Sequence, residues 1–198
     1  MPQVEIGLDP DKKVLAQAVQ RGVYERFEVA PAEAMQLPDA CIGTVVSNSV
    51  LEHLPRLDAT LQAVRRVLKP GGRLVLTVPT EAFSTQLLLP TIRYAAWRNR
   101  QLCHLNLWPI ERWIDHLEHA GFTVEIVRPY LPPHLVWIWD ALELLQQIWI
   151  GRRRLVGIVW RQLPPSSLNH LAQWAAQLDL SSPAPGGGRL IVARKRYG

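Results

Sequence analysis

The stretch CIGTVVSNSVLEHLPRLDATLQAVRRVLKPGGRLVLTVPT, residues 41–80, constrains the fold more than any other part of the chain. Ile42–Ser47 is a β-branched run short enough for a buried strand. Asp58 can N-cap a helix in which Leu61, Val64 and Leu68 fall at three- and four-residue spacing, with Arg65 and Arg66 turned outward. Lys69-Pro70-Gly71-Gly72 stops that helix, because proline cannot continue it and Gly71 can take the positive φ of a type II turn. Leu74–Val78 follows without alternation, so both its faces should be covered. Strand, helix and strand in this order predict a right-handed βαβ unit with parallel strands.

The runs V-V-S-N-S-V-L-E-H-L (45–54) and R-V-L-K-P-G-G (66–72), followed by an apolar strand, resemble class I S-adenosylmethionine-dependent methyltransferases, type 11 small-molecule branch. The resemblance covers residues 4–129 in order. It implies a doubly wound, Rossmann-like α/β sheet, mostly parallel with an antiparallel last strand, and S-adenosylmethionine as the cofactor. It also implies one domain over 1–198, with its core at 4–129 and 186–197 and a helical insertion at 130–185 before the last strand.

Taken in order, Val4–Leu8 reads as a strand and Asp9-Pro10 opens a helix whose buried stripe is Val14, Leu15, Ala18 and Val19, closed by Gly22. Asp9 stands where the resembled family uses an acid to accept both ribose hydroxyls of the cofactor. A carboxylate can serve both at once. Aspartate before proline is also an ordinary helix cap, and the two roles are compatible. The family's first strand and glycine-rich turn have no counterpart ahead of Asp9, since only Met1-Pro2-Gln3 precedes Val4. The resemblance therefore implies an N-terminally truncated product, a mis-called start or a degenerate copy, with strand edges exposed or strands forced together.

Val23–Val29 reads as the next strand. After it, the resemblance places the adenine contact at Ala32 and Glu33, with Pro31 standing where the family has an aspartate. Ser47 and Asn48 end the following strand at the carboxyl edge, where ligands bind in open α/β sheets, and can meet the methionine part of the cofactor. Glu52-His53 resembles the Glu-His of metal-assisted ubiquinone-type O-methyltransferases, but the further acid three residues earlier is Ser49 here, so no metal is expected. His53 and His104 are the candidate bases, each with a structural alternative.

Beyond Thr80, Glu81–Ser84 reads as a loop and Leu87–Arg100 as a helix despite Pro90. Ile110, Trp113, Ile114 and Leu117 make one helix face ended by Gly121, and Phe122–Val127 is a strand. In the insertion, Leu135, Ile138, Trp139, Leu142, Leu145 and Trp149 follow helical spacing, with Asp140, Glu143 and Gln147 on the other face. Arg152–Arg154, an apolar run at Leu155–Trp160 and a last helix at Leu168–Leu178 follow. Three readings stay open for this insertion: a lid over a bulky apolar substrate, peripheral membrane contact through 130–160, or a dimer face.

The net charge of +5 is scattered enough that nucleic acid is not an expected partner. Cys41 and Cys103 suggest neither a disulfide framework nor a metal site, and the start lacks a signal-peptide pattern, so a cytoplasmic location, peripheral at the membrane or not, is expected. The implied function is methyl transfer to a small-molecule or lipid-like acceptor, impaired by truncation. The alternative is a non-catalytic relic serving as a binding or membrane-peripheral protein.

Overall fold

The computed structural model describes residues 4–150, 153–154, 164–181 and 185–197. The elements run β1 (Val4–Leu8), α1 (Lys12–Val19), β2 (Tyr24–Glu28), β3 (Ile42–Asn48), α2 (Leu57–Val67), β4 (Leu68–Pro79), α3 (Glu81–Thr85) and α4 (Ile92–Gln101). They continue with α5 (Ile110–His119), β5 (Phe122–Tyr130), α6 (Pro133–Gln146), β6 (Trp149–Ile150), β7 (Arg153–Arg154), α7 (Pro165–Ala176) and β8 (Gly188–Lys195). Short 3-10 turns lie at Ala32–Ala34 and Leu51–His53. The chain divides into two compact units. One comprises 1–78, 108–127 and 190–198, the other 79–107 and 128–189.

In the first unit, β3, α2 and β4 form the expected parallel βαβ unit. Ile42 pairs with Leu68 and Thr44 with Arg73, so Lys69–Gly72 bulges out of the pairing. Gly71 has φ +70°, and a Cβ there would lie 2.5 Å from the Tyr197 hydroxyl, so the position needs glycine twice over. Strand order is β3-β4-β8-β5, and β1 and β2 form a separate parallel pair. Of the two arrangements open from sequence, the strands stay apart: among the described residues β1–β2 is not bonded to the larger sheet. Val46 on β3 is 72% exposed.

The core of this unit contains Leu61, Val64 and Leu68 as their spacing required, with Leu74, Leu76, Trp113, Leu117, Phe122 and Ile191. Fully burying such side chains contributes about 1.5–3 kcal/mol each. Leu15 alone of the expected α1 stripe is buried; Val14 and Val19 are exposed, because α1 has only a two-stranded sheet to lie on. Asp58 is not a cap. It sits inside the first turn of α2 after Arg56, and its carboxylate meets His116 Nδ1 at 2.9 Å.

In the second unit, Phe83, Leu87, Ala95 and Val136 form a small core. Glu81–Thr85 is a helical turn rather than a loop. The longer helix starts only at Ile92, past Pro90, with the Thr91 hydroxyl accepting the Tyr94 amide at 3.3 Å. α6 is turned differently from the sequence expectation. Leu135, Val136 and Asp140 face inward, while Ile138, Leu142 and Leu145 are exposed. The cause is a polar anchor: Arg98 Nε donates to Asp140 Oδ1 at 2.6 Å, and Tyr94 Oη and the Leu88 amide donate to Oδ2 at 2.6 and 3.0 Å. The apolar run expected at Leu155–Trp160 lies outside the described residues.

Candidate functional site

Parallel strands present their last residues at one edge, and in the first unit the candidate residues cluster at the ends of β1, β2 and β3. Asp9 follows β1. Its Oδ1 accepts the Asp11 amide at 2.7 Å, and Asp11 in turn accepts the Lys13 amide at 2.7 Å as the cap of α1. The capping role expected of Asp9 thus belongs to Asp11. The second carboxylate oxygen of Asp9 makes no hydrogen bond among the described residues, leaving an acceptor at the strand end.

Beyond β2, the Gln36 amide donates to the Glu28 carboxylate and closes the loop that holds Ala32 and Glu33. These two residues begin a 3-10 turn, whose first amides its own ladder does not use. Arg66 fixes this loop from α2. Its guanidinium donates to the carbonyls of Met35 at 2.8 Å and Leu37 at 2.7 Å, and to Asp39 at 2.6 Å. Arg66 is therefore not simply turned to solvent, as helical spacing had placed it.

At the end of β3, strand alternation sends Ser47 to the face of Val45 and Asn48 to the face of Val46. The Thr77 hydroxyl donates to Asn48 Oδ1, so the Asn48 amide group remains to donate elsewhere. Ser49 then takes φ +49°, a left-handed conformation costing about 1–2 kcal/mol for a residue with a Cβ. Its amide is held by Thr77, donating to the carbonyl at 3.0 Å and to Oγ1 at 3.1 Å.

The next turn carries Glu52 and His53. Glu52 is buried, with Oε1 3.7 Å from His53 Nε2 and Oε2 without a hydrogen-bond partner among the described residues. Burial pushes its carboxyl above the ordinary value, opposed by a backbone hydrogen bond and by His53. His53 is half-buried at the end of that turn. His104 belongs to the second unit, where Nδ1 lies 3.2 Å from Asn99 Oδ1 and the ring meets the Phe83 ring edge-on at 5.5 Å. A cleft of about 420 Å³ elsewhere on the first unit holds Asp58, Arg112, Asp115, His116 and His119, none of them a strand-end residue.

Asp9, Ala32, Glu33, Ser47, Asn48 and His53 therefore share the first unit, as sequence reasoning grouped them, and His104 does not. Arg66 is not among the residues expected at the site, and Glu52 enters the sequence reading only in the Glu52-His53 pair. Nothing in the helical period marks Arg66 as a loop clamp, whereas Leu51 beside Glu52 was a cue to burial. The residues present fit the implied cofactor at the ribose end, through the free Asp9 oxygen, and at the ring end, through the unused turn amides.

Residues 3–76 match the family model described as Methyltransferase domain. A thiol S-methyltransferase of Rattus norvegicus is 37% identical over 119 residues, covering 58% of this chain and 47% of the relative. A ubiquinone/menaquinone biosynthesis C-methyltransferase of Rubrivivax gelatinosus is 34% identical over 67 residues, covering 33% of this chain and 27% of the relative. The chain thus spans less than half the length of these curated relatives. Among solved structures, an S-adenosylmethionine-dependent methyltransferase of Thermotoga maritima superposes with a TM-score of 0.59 at 17% identity, covering 97% of this chain and 73% of that one. Residues 3–76 thus resemble the methyltransferase domain in sequence, and the chain shares the fold of class I S-adenosylmethionine-dependent methyltransferases.

Proposed function

We propose that this chain binds S-adenosylmethionine at the carboxyl ends of β1, β2 and β3 and transfers its methyl group to a small-molecule or lipid-like acceptor. Asp9 carries the reading: a carboxylate at a strand end, relieved of helix capping by Asp11 and with one oxygen unused, is set to accept ribose hydroxyls. When bound, the cofactor supplies a methyl on a positively charged sulfur, which a nucleophile takes while the sulfur becomes a neutral thioether.

The chain's own residues position and desolvate. The amides of Ala32 and Glu33 are donors for ring nitrogens, on a loop held by Arg66. Ser47 and Asn48 offer small polar groups at the methionine end. His53 and His104 are the candidates to take a proton from the acceptor, and each is tested alone. The relatives' acceptors, a thiol in one name and a quinone precursor pathway in the other, support a small acceptor.

A second reading, a non-catalytic binding protein on the same fold, is favoured by one observation. Among the described residues the β1–β2 pair makes no ladder with β3, so the candidate cofactor residues sit on two separate sheets. Calorimetric titration of S-adenosylmethionine and S-adenosylhomocysteine into the chain decides between them. Micromolar binding that Asp9→Asn abolishes supports the enzyme; a folded chain that takes up neither ligand supports the second reading.

A further inference from the structure

Helix α4 ends without a glycine, and the way it ends fixes one histidine. Cys103 donates its amide to the Arg100 carbonyl at 3.2 Å, and His104 reaches back to the Asn99 carbonyl at 3.0 Å. These two bonds are the Schellman closure of a helix, whose outer residue takes a left-handed conformation. Glycine ordinarily stands there, because a Cβ is strained in that region. Here it is Cys103, at φ +54°, and the closure forms all the same.

The side chains of the same two residues repeat the link. His104 Nδ1 lies 3.2 Å from Asn99 Oδ1, so Asn99 holds His104 twice, by its carbonyl and by its side chain. The amide group of Asn99 is fixed in turn, with Nδ2 donating to Ser84 Oγ on α3 at 2.8 Å. Buried Phe83, next to Ser84, meets the imidazole edge-on at 5.5 Å and limits its rotation. All four residues belong to the second unit.

This relay decides where the imidazole proton sits. An amide whose nitrogen is spent on Ser84 turns its oxygen to His104, and that oxygen can only accept. Nδ1 therefore carries the ring proton and the lone pair belongs to Nε2. An unrestrained imidazole exchanges its two tautomers, whereas one held in this way presents a single base in a single orientation.

We propose that Asn99, backed by Ser84, is a positioning residue that keeps His104 in the Nδ1–H tautomer, with Nε2 as the base that takes the acceptor's proton. The base role rests on the reading given above, in which the chain transfers a methyl group. In that step the acceptor's bond to hydrogen breaks and the proton goes to Nε2. The electron pair left behind forms the bond to the methyl carbon, and the pair of the broken carbon–sulfur bond stays on sulfur.

The tautomer is read on the chain alone, labelled with nitrogen-15, from imidazole proton–nitrogen correlations at about pH 8, where an ordinary histidine is neutral. His104→Gln identifies the signals, and the Nδ1–H form is expected. Asn99→Leu conserves the volume and the backbone closure but removes the acceptor, so the Nε2–H form should appear. Ser84→Ala frees the amide to turn over and should give a mixture. Asn99→Asp restores an acceptor and adds a charge, so it should return the Nδ1–H form and raise the pH at which the ring titrates by about one unit. An Nε2–H form in the native chain overturns the proposal, as does a tautomer that Asn99→Leu leaves unchanged.

Methyl transfer from S-adenosylmethionine to the thiol probe dithiothreitol gives the second readout. Asn99→Leu should lower kcat about tenfold without changing KM for S-adenosylmethionine. Asn99→Asp should recover kcat, with the acidic limb of its pH profile moved up by about one unit. A kcat that Asn99→Leu leaves intact overturns the proposal as well. No transfer by the native chain defeats the enzymatic reading and the base role with it, while the tautomer measurement, which needs neither cofactor nor acceptor, still decides whether Asn99 positions His104.

Discussion

Asp9 and Asp11 stand two residues apart and separate two roles that are easily confused. Because Asp11 holds the Lys13 amide, Asp11→Ala should remove about 1 kcal/mol of stability and leave cofactor affinity unchanged, checked by denaturant titration beside calorimetry. Asp9→Asn should do the reverse, losing S-adenosylmethionine binding with little change in stability. Glu52 gives a pH signature. Its carboxyl is raised above the ordinary 4.5 by burial, so in the pH range just above that value the folded chain keeps a proton that the unfolded chain has released. More protons bound in the folded state mean that stability falls as pH rises from about 4.5 through the folded value. Glu52→Gln should therefore melt at a higher temperature than the wild type near pH 7, and the gap should close near pH 4. A constant gap across that range would remove Glu52 as the titrating group.

At the scale of elements, two arginines do what periodicity does not foretell. Arg66 joins α2 to the loop after β2 through two carbonyls, so Arg66→Ala should cost about 1–3 kcal/mol and loosen S-adenosylmethionine binding several-fold, read by calorimetry on the folded variant. Arg98 and Asp140 lock α4 to α6 inside the second unit. Asp140→Ala should destabilise that unit by about 3–5 kcal/mol, whereas Arg98→Met/Asp140→Leu should restore most of the loss, since apolar replacement of a buried pair is often neutral. The helices and strands themselves were largely legible. Leu61, Val64 and Trp113 obey the helical period, Gly71 takes its positive φ in a strand bulge and Gly121 past a helix end, and β1 spans Val4–Leu8 as read from sequence. The facing of α6 was not legible, because its partner Arg98 lies 42 residues away and a lone aspartate on a helix reads as solvated. Nor was the division between Asp9 and Asp11, where both residues carry the same side chain and only geometry assigns the cap.

At the scale of the whole molecule, the βαβ unit and the resemblance pointed to the methyltransferase fold that the solved structures share. The matched relatives are longer than this chain, so their acceptors remain proposals here. The candidate site was legible as a set of strand ends, and its missing half was the polar support beneath it: Thr77 under Asn48 and Ser49, and Arg66 under the loop of Ala32. The open flank of β3 has a practical effect. Val46 lies exposed on a strand hydrogen-bonded on one side only among the described residues, and such edges recruit other chains. Val46→Lys should reduce light scattering on warming without lowering the melting temperature. The position of β8 reaches further. It lies between β4 and β5, with Ile191 and Ala193 fully buried, yet it is made of residues 188–195. During synthesis, β3 and β4 can pair early, but β5 cannot join them until residue 195 has cleared the ribosome. The nascent sheet must therefore wait, with a strand-wide slot at its centre, for the segment that closes it, and over that interval a chaperone has its longest access to the chain.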